Sequence, residues 1–208
     1  MQNVVPVERA VAARTLEERA AAYADEVRRL VDAAYAVMRR TESLDPRVSD
    51  IVQAAGLSNQ AFYRHFRTKD ELLVAVLDDG RRRLVETLER RMTKASPGAD
   101  AVRAWVEGLL EQARNAEAAA NTRPFAVNGA RLAARYPEAT ASQREQVIAP
   151  LRAAVADAGG DPGRDADAIY HLAMAATEDA IVRRQPPTRD DVAHLVAFAL
   201  RGIGASRP

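Results

Sequence analysis

From Pro46 to Leu72 the chain reads PRVSDIVQAAGLSNQAFYRHFRTKDEL, two short helical patterns joined by a tight turn with a third starting directly behind them. Val48, Ile51, Val52 and Ala55 recur at helical spacing and stop at Gly56. Glycine suits the positive φ with which a helix is left sharply. Leu57 plugs the corner, and Ser58 is placed to cap the next helix by accepting an orphan backbone N–H. Phe62 and Phe66, four residues apart, point the same way, towards Ile51 and Leu57. The opposite face carries Asn59, Gln60, Tyr63 and Arg64. Between Ser58 and Lys69 there are three basic residues, Arg64, Arg67 and Lys69, and no acid.

This arrangement predicts a helix-turn-helix. One helix is pinned by aromatic packing while its exposed face donates to base edges and phosphates in a major groove. The plainer alternative is a surface hairpin with a solvated basic face. The turn glycine, serine cap, aromatic spacing and lack of acids coincide here, and together they favour DNA binding.

Composition narrows the rest. A chain of 208 residues is long enough to bury a proper core, as one domain or two small ones. It has no cysteine, which removes disulfides and thiolate metal sites and fits a reducing cytoplasm. No apolar run approaches the roughly 20 residues of a membrane span, and no signal-peptide core opens the chain, so a cytoplasmic protein is expected. The net charge is only +1. Residues 1–94 carry 17 Lys/Arg against 15 Asp/Glu, and residues 95–208 carry 13 against 14, so DNA affinity must come from local clustering. Alanine is abundant and β-branched alternation is missing, which predicts an all-α fold.

Working outward, residues 1–14 show no clear period, and 1–19 are expected to form a flexible N-terminal arm with Arg9, Arg14 and Arg19 along it. Tyr23, Val27, Leu30, Val31, Ala34, Val37 and Met38 form a stripe that should cover the helix-turn-helix. Asp45-Pro46 is suited to open the second helix, Asp as cap and Pro at the first helical position. Thr68 with Glu71 reads as a capping box for a fourth helix running to about Met92. The free amides of its first turn and Lys69 make a natural phosphate anchor. Ser96-Pro97-Gly98 is the first strong break, which gives a DNA-binding domain at 20–94 and a C-terminal domain at 95–208.

In that second domain Asp100 should cap a helix from Ala101 to about Glu117. Thr122-Arg123-Pro124 should start another that ends before Pro137, with Phe125, Asn128, Leu132 and Tyr136 on its apolar face. Asn128 is then either paired within the core or aimed at a ligand, since an unpaired buried amide costs about 1–3 kcal/mol. Glu138 to Ala158 is helical with Pro150 expected to kink or split it, and Gly159-Gly160 ends it. The helix from Asp165 to Arg184 is apolar on more than one side. The last helix, capped by Thr188, carries a stripe of Val192, Leu195, Val196, Ala199 and Ile203. These two helices are expected to pair with their copies as a four-helix bundle, making a twofold homodimer.

The strings Ile51-Val52, Ala55-Gly56-Leu57-Ser58, Phe62-Tyr63-Arg64-His65-Phe66 and Thr68-Lys69-Asp70-Glu71-Leu72-Leu73 resemble the DNA-binding domain of the TetR family of bacterial transcriptional regulators. The signature spans about Leu30 to Leu77. Four positions depart from it: Glu42 where a glycine usually ends the first helix, Pro46 and Arg47 in place of threonines, and Val52 in place of a small alanine. The resemblance implies a homodimeric repressor that leaves a pseudo-palindromic double-stranded DNA operator when a small apolar effector binds the C-terminal domain. It also implies that the fourth helix links the domains and transmits that signal.

The residues expected to read base edges are Asn59, Gln60 and Arg64. Ser58, Tyr63, His65, Lys69 and Arg47 are expected on phosphates. Trp105, Leu109, Phe125, Asn128, Tyr136, Met174 and Thr177 are the expected ligand lining, though each apolar one among them could equally be core. No phosphate loop, HExxH or Gly-x-Ser-x-Gly occurs, so no catalytic residue, metal site or cofactor is expected. Two other readings stay open: a helical ligand-binding protein without DNA binding, and a small helical enzyme using His171 and Glu178, two turns apart on one helix face.

Overall fold

Apolar residues at helical spacing and alanine-rich runs give helix throughout. The computed structural model describes residues 7–204. Over them follow α1 (Val7–Thr41), α2 (Val48–Ala55), α3 (Asn59–His65), α4 (Lys69–Met92), α5 (Ala99–Arg114), α6 (Ala116–Val127), α7 (Gly129–Arg135), α8 (Pro137–Asp157), α9 (Arg164–Arg183) and α10 (Arg189–Gly202), with no strand among the described residues. The fold is all-α, as the sequence predicts.

The chain divides into two compact units. One holds residues up to Val76 apart from Glu42–Leu44, and the other holds Glu42–Leu44 with everything from Leu77 onward. The division therefore falls inside α4, ahead of the Ser96-Pro97-Gly98 break. The helix carries an apolar stripe at each end, separated by the charged stretch at residues 78–83, and each stripe is buried in its own unit. Leu72, Leu73 and Val76 are buried in the first, and Leu88 is buried in the second with Leu84, Val85 and Met92 beside it.

In the first unit α1 packs on α2 and α3. Leu30, Val31, Ala34, Val37 and Met38 are buried, so the expected stripe does cover the helix-turn-helix, whereas Tyr23 stays half exposed. The segment read as a flexible arm is helical from Val7, because Ala, Glu and Arg dominate it and are strong helix formers. Residues 1–6 and the side chain of Arg9 lie outside the described residues. Tyr35 on α1 donates its hydroxyl to the Val76 carbonyl at 2.7 Å and ties α1 to the start of α4. Glu42, which stands at the usual glycine position, takes the left-handed conformation a glycine would supply, with φ 49°.

In the second unit α5 runs through the centre. Trp105, Val106, Leu109 and Leu110 pack with Val147, Ile148, Leu151 and Val155 of α8, with Ile169 and Ala173 of α9, and with Val196 and Ala199 of α10. Several expected boundaries move here. α5 starts at Ala99 from Gly98, which has φ 79°, so Asp100 lies in the first turn instead of capping it. α5 ends at Arg114 because Asn115 breaks it and caps α6, accepting the Ala118 N–H at 2.9 Å. α6 therefore begins eight residues before Pro124 and runs through it. The Ala118-Ala119-Ala120 run favours helix from the Asn115 cap onward, and Pro124 is accommodated inside it. Pro150 likewise sits inside α8 without ending it. The predicted cap of α10 is in place, with Thr188 Oγ1 accepting the Asp191 N–H at 3.2 Å and Asp191 Oδ2 accepting the Thr188 N–H at 2.9 Å.

Candidate nucleic-acid interface and ligand domain

The turn between α2 and α3 is built as the sequence indicates. Gly56 has φ 63°; its N–H bonds to Gln53 O at 3.2 Å and the Leu57 N–H bonds to Val52 O at 2.9 Å, closing the last turn of α2. Arg29 of α1 adds a clamp: Nε and Nη2 donate to Ala55 O at 3.1 and 2.7 Å, and Nη2 donates to Gly56 O at 3.1 Å. A cation on these orphan carbonyls also faces the negative end of the helix dipole. Ser58 Oγ then accepts the Ala61 N–H at 3.1 Å and starts α3.

α3 is pinned from one side. Ala61, Phe62 and Phe66 are buried, and the two phenylalanine rings lie 5.8 Å apart between centroids. Ser58, Asn59, Gln60, Tyr63 and Arg64 are exposed, with Tyr63 at 59%. The predicted reading face and the predicted anchoring face are therefore separated along one short helix.

Three side chains differ from expectation. His65 does not face solvent or phosphate: its side chain is wholly buried, with Nε2 2.5 Å from Glu26 Oε2 of α1 and the Tyr23 ring edge-on at 4.2 Å. Arg64 donates through Nη2 to the same Glu26 oxygen. Those contacts hold the Glu26 carboxyl below the usual carboxylate range, the His65 bond contributing most and the Arg64 bond next. Asp45 does not cap α2, since Arg47 occupies the cap position without a side-chain bond; the Asp45 carboxylate instead accepts from Lys69. Asp45 lies two residues ahead of the cap position. At the start of α4, Thr68 Oγ1 accepts the Glu71 N–H at 3.1 Å, but the returning bond from Glu71 Oε2 takes the Arg67 N–H at 2.7 Å, one residue earlier than a capping box.

Glu26 is the residue that sequence reasoning missed. It lies on α1, 38 positions before Arg64 and 39 before His65. Its only local signal is its place one turn beyond Tyr23.

In the second unit the expected ligand-lining residues divide. Trp105 and Leu109 are fully buried, and Trp105 Nε1 donates to Val147 O at 3.1 Å. Thr177 is buried and donates back to Ala173 O at 2.8 Å within its own helix. Asn128 Nδ2 donates to Pro124 O at 2.8 Å, so that amide is paired with backbone near the end of α6. Phe125, Tyr136 and Met174 are half-buried. Tyr170, absent from the expected set, stands with its ring 6.3 Å from Trp105 and with the Arg144 guanidinium 5.2 Å over it. Burial pushes its hydroxyl above the usual range. His171 and Glu178 are exposed on α9, and His171 Nδ1 sits 2.7 Å from its own-helix Asp167 carbonyl. Among the described residues no group of three or more His, Cys, Asp or Glu is placed to hold a metal ion, and no helix is long and apolar enough to cross a membrane.

The fold and this face define a helix-turn-helix protein with a second helical unit. Residues 30–76 match the family model described as bacterial regulatory proteins, tetR family. Over most of its length the chain has the all-α fold seen in solved regulators of that family. It is similar to a crystal structure assigned to the TetR-family transcriptional regulators from Mesorhizobium loti, at 18% identity over 88% of this chain and 95% of that one, with a TM-score of 0.66. Salmonella enterica GusR is similar at 17% identity over 86% of this chain and 95% of that one, TM-score 0.67. SmeT, the repressor of the Stenotrophomonas maltophilia multidrug efflux pump SmeDEF, is similar at 18% identity over 85% and 91%, TM-score 0.62. No curated protein sequence matches the chain.

Proposed function

We propose that this chain is a sequence-specific DNA-binding transcriptional regulator, a cytoplasmic homodimer that represses transcription and leaves its operator when a small apolar ligand binds the second unit. The observation that carries the DNA-binding reading is the two-faced α3, aromatic and buried on one side, with Asn59, Gln60, Tyr63 and Arg64 exposed on the other. Asn59, Gln60 and Arg64 are the base-reading residues of this proposal. Ser58, Tyr63, Lys69 and Arg47 meet phosphates; His65 drops out because it is buried behind Glu26. Arg47 stands in extended conformation at the start of α2, with its side chain free of any cap bond.

Support for the dimer comes from α9 and α10, which leave Leu172, Val182 and Phe198 exposed, Phe198 at 56%. A twofold bundle of these helices and their copies would cover them, and would present two reading heads to grooves about 34–36 Å apart. For the ligand site, the half-buried Phe125, Tyr136, Met174 and Tyr170 each offer apolar surface, and the two tyrosines a polar group, in the second unit. A coupling of about 1–3 kcal/mol between ligand and operator would change affinity about 5–150-fold.

The test is a gel shift with the intergenic DNA upstream of the chain's own coding sequence, at low ionic strength. A retarded band competed poorly by random duplex supports the reading; no retardation overturns it. Light scattering at micromolar concentration tests the dimer, and a monomer there removes that part.

A further inference from the structure

We propose that Glu26 is a positioning and specificity-determining residue of the reading face: by holding Arg64 it suppresses binding to arbitrary duplex and makes tight binding depend on base contacts. The inference rests on the DNA-binding reading above. Its basis is that one carboxylate oxygen, Glu26 Oε2, serves both Arg64 Nη2 and His65 Nε2. The His65 side chain is wholly buried, while Glu26 is 27% and Arg64 56% exposed. The carboxylate is thus moored on the protein side, and the Tyr23 ring packed on His65 holds that mooring.

Two consequences follow from the charge and the geometry. An unrestrained guanidinium on an exposed helix face seeks the nearest phosphate whatever the sequence, and each phosphate so neutralised adds to non-specific affinity. Held by Glu26, Arg64 spends one of its five donors on the carboxylate and keeps the others in a fixed fork. A base edge that accepts from that fork gains a bidentate contact, whereas a phosphate meets a cation already half neutralised and a carboxylate beside it. No acid occurs between Ser58 and Lys69, so this negative charge reaches the face only from another helix. The neighbouring Asp25 does not supply it, because its carboxylate pairs with Arg28 and faces Arg29 at 3.9 Å.

The experiment uses the full chain and fluorescence anisotropy on two probes: a pool of short random-sequence duplexes, and duplexes enriched from that pool by retention on the wild-type protein. Glu26→Gln is expected to bind the random pool several-fold tighter, with a salt dependence steeper by about one unit of slope. It is expected to gain less on the enriched duplexes, so the ratio of the two affinities falls. In an Arg64→Ala background the same substitution should leave that ratio unchanged. Glu26→Asp, which keeps the charge but shortens its reach by one methylene, should also lower the ratio and serves if Glu26→Gln does not fold. Equal shifts on both probes, an unaltered salt slope, or a change in that ratio that persists without Arg64 would each overturn the inference. If the wild-type protein enriches no duplex at all, the DNA-binding reading itself fails and the inference goes with it.

Discussion

Glu26 of α1 and His65 at the end of α3 meet through Oε2 and Nε2 at 2.5 Å, with the imidazole wholly out of solvent. The contact joins the longest helix of the first unit to the helix that presents the reading face. It also sets a pH dependence. The Glu26 carboxyl is held low by His65 and then by Arg64. A carboxyl lowered in the folded state adds stability above its unfolded pKa, and that contribution is lost as pH falls through the folded one. Glu26→Gln should therefore narrow the drop in melting temperature between about pH 6 and pH 3. A drop as large as that of the wild-type protein would show that the carboxylate contributes nothing to folding.

Arg29 holds the carbonyls of Ala55 and Gly56 at the turn. Arg29→Ala leaves them to water and should cost about 1–2 kcal/mol, as for hydrogen bonds made by a charged donor. Urea unfolding followed by far-UV circular dichroism measures it, and DNA affinity should fall in parallel because the turn that aims α3 is loosened.

At Gly108 the backbone of α5 lies against side chains of α4. A Cβ there would meet Leu88 Cδ2 at 2.9 Å and Arg91 Cδ at 3.0 Å. Leu88 is fully buried and has little room to retreat. Gly108→Ala should lower stability by about 1–3 kcal/mol despite alanine's better helix propensity, since overpacking outweighs the gain. A stabilised variant in thermal melts would show that the two helices simply move apart.

Arg184 ends α9 in the left-handed conformation with φ 57°, where the Gln185 N–H bonds back to Ala180 O at 3.0 Å. Glycine takes this conformation without the Cβ penalty. Arg184→Gly should stabilise the chain by about 1 kcal/mol, net of glycine's larger unfolded-state entropy. The ion pair lost with Glu42 is exposed on both sides and weighs little. Differential scanning calorimetry should show a raised melting temperature.

Lys69 and Gln60 should separate position from sequence. Lys69→Ala is expected to weaken binding to every duplex and to flatten the salt dependence by about one unit of slope. Gln60→Ala should blunt discrimination at one base pair, by about 1–3 kcal/mol for a bidentate contact. Equal losses on enriched and random duplex for Gln60→Ala would remove it from the reading set.

Much of the local structure was legible in the chain because its signals act over four residues or fewer. The Gly56 turn, the Ser58 cap, the Phe62–Phe66 pair and the Thr188 cap each depend on neighbours within one helical turn, and each stands where the spacing puts it. Local rules misled where two of them competed. Pro124 looked like a helix start, yet Asn115 and the alanines after it had already begun α6. The exchange of Asp45 from capping to Lys69 has the same character, a local preference overruled by a partner 24 residues away.

What the sequence by itself determined is the all-helical class, the helix-turn-helix and the choice of residues facing away from its aromatic side, because periodicity, caps and turn chemistry are written along the chain. The helix expected from Thr122 to Pro137 is instead split at Asn128 into α6 and α7, and the expected arm is helical from Val7. Only the tertiary structure decided which of those polar side chains stays free. It buried His65, bound Arg64 to Glu26 and brought α4 against Gly108. Those outcomes turn on distances between residues far apart in the chain, which packing fixes and no pattern of spacing encodes.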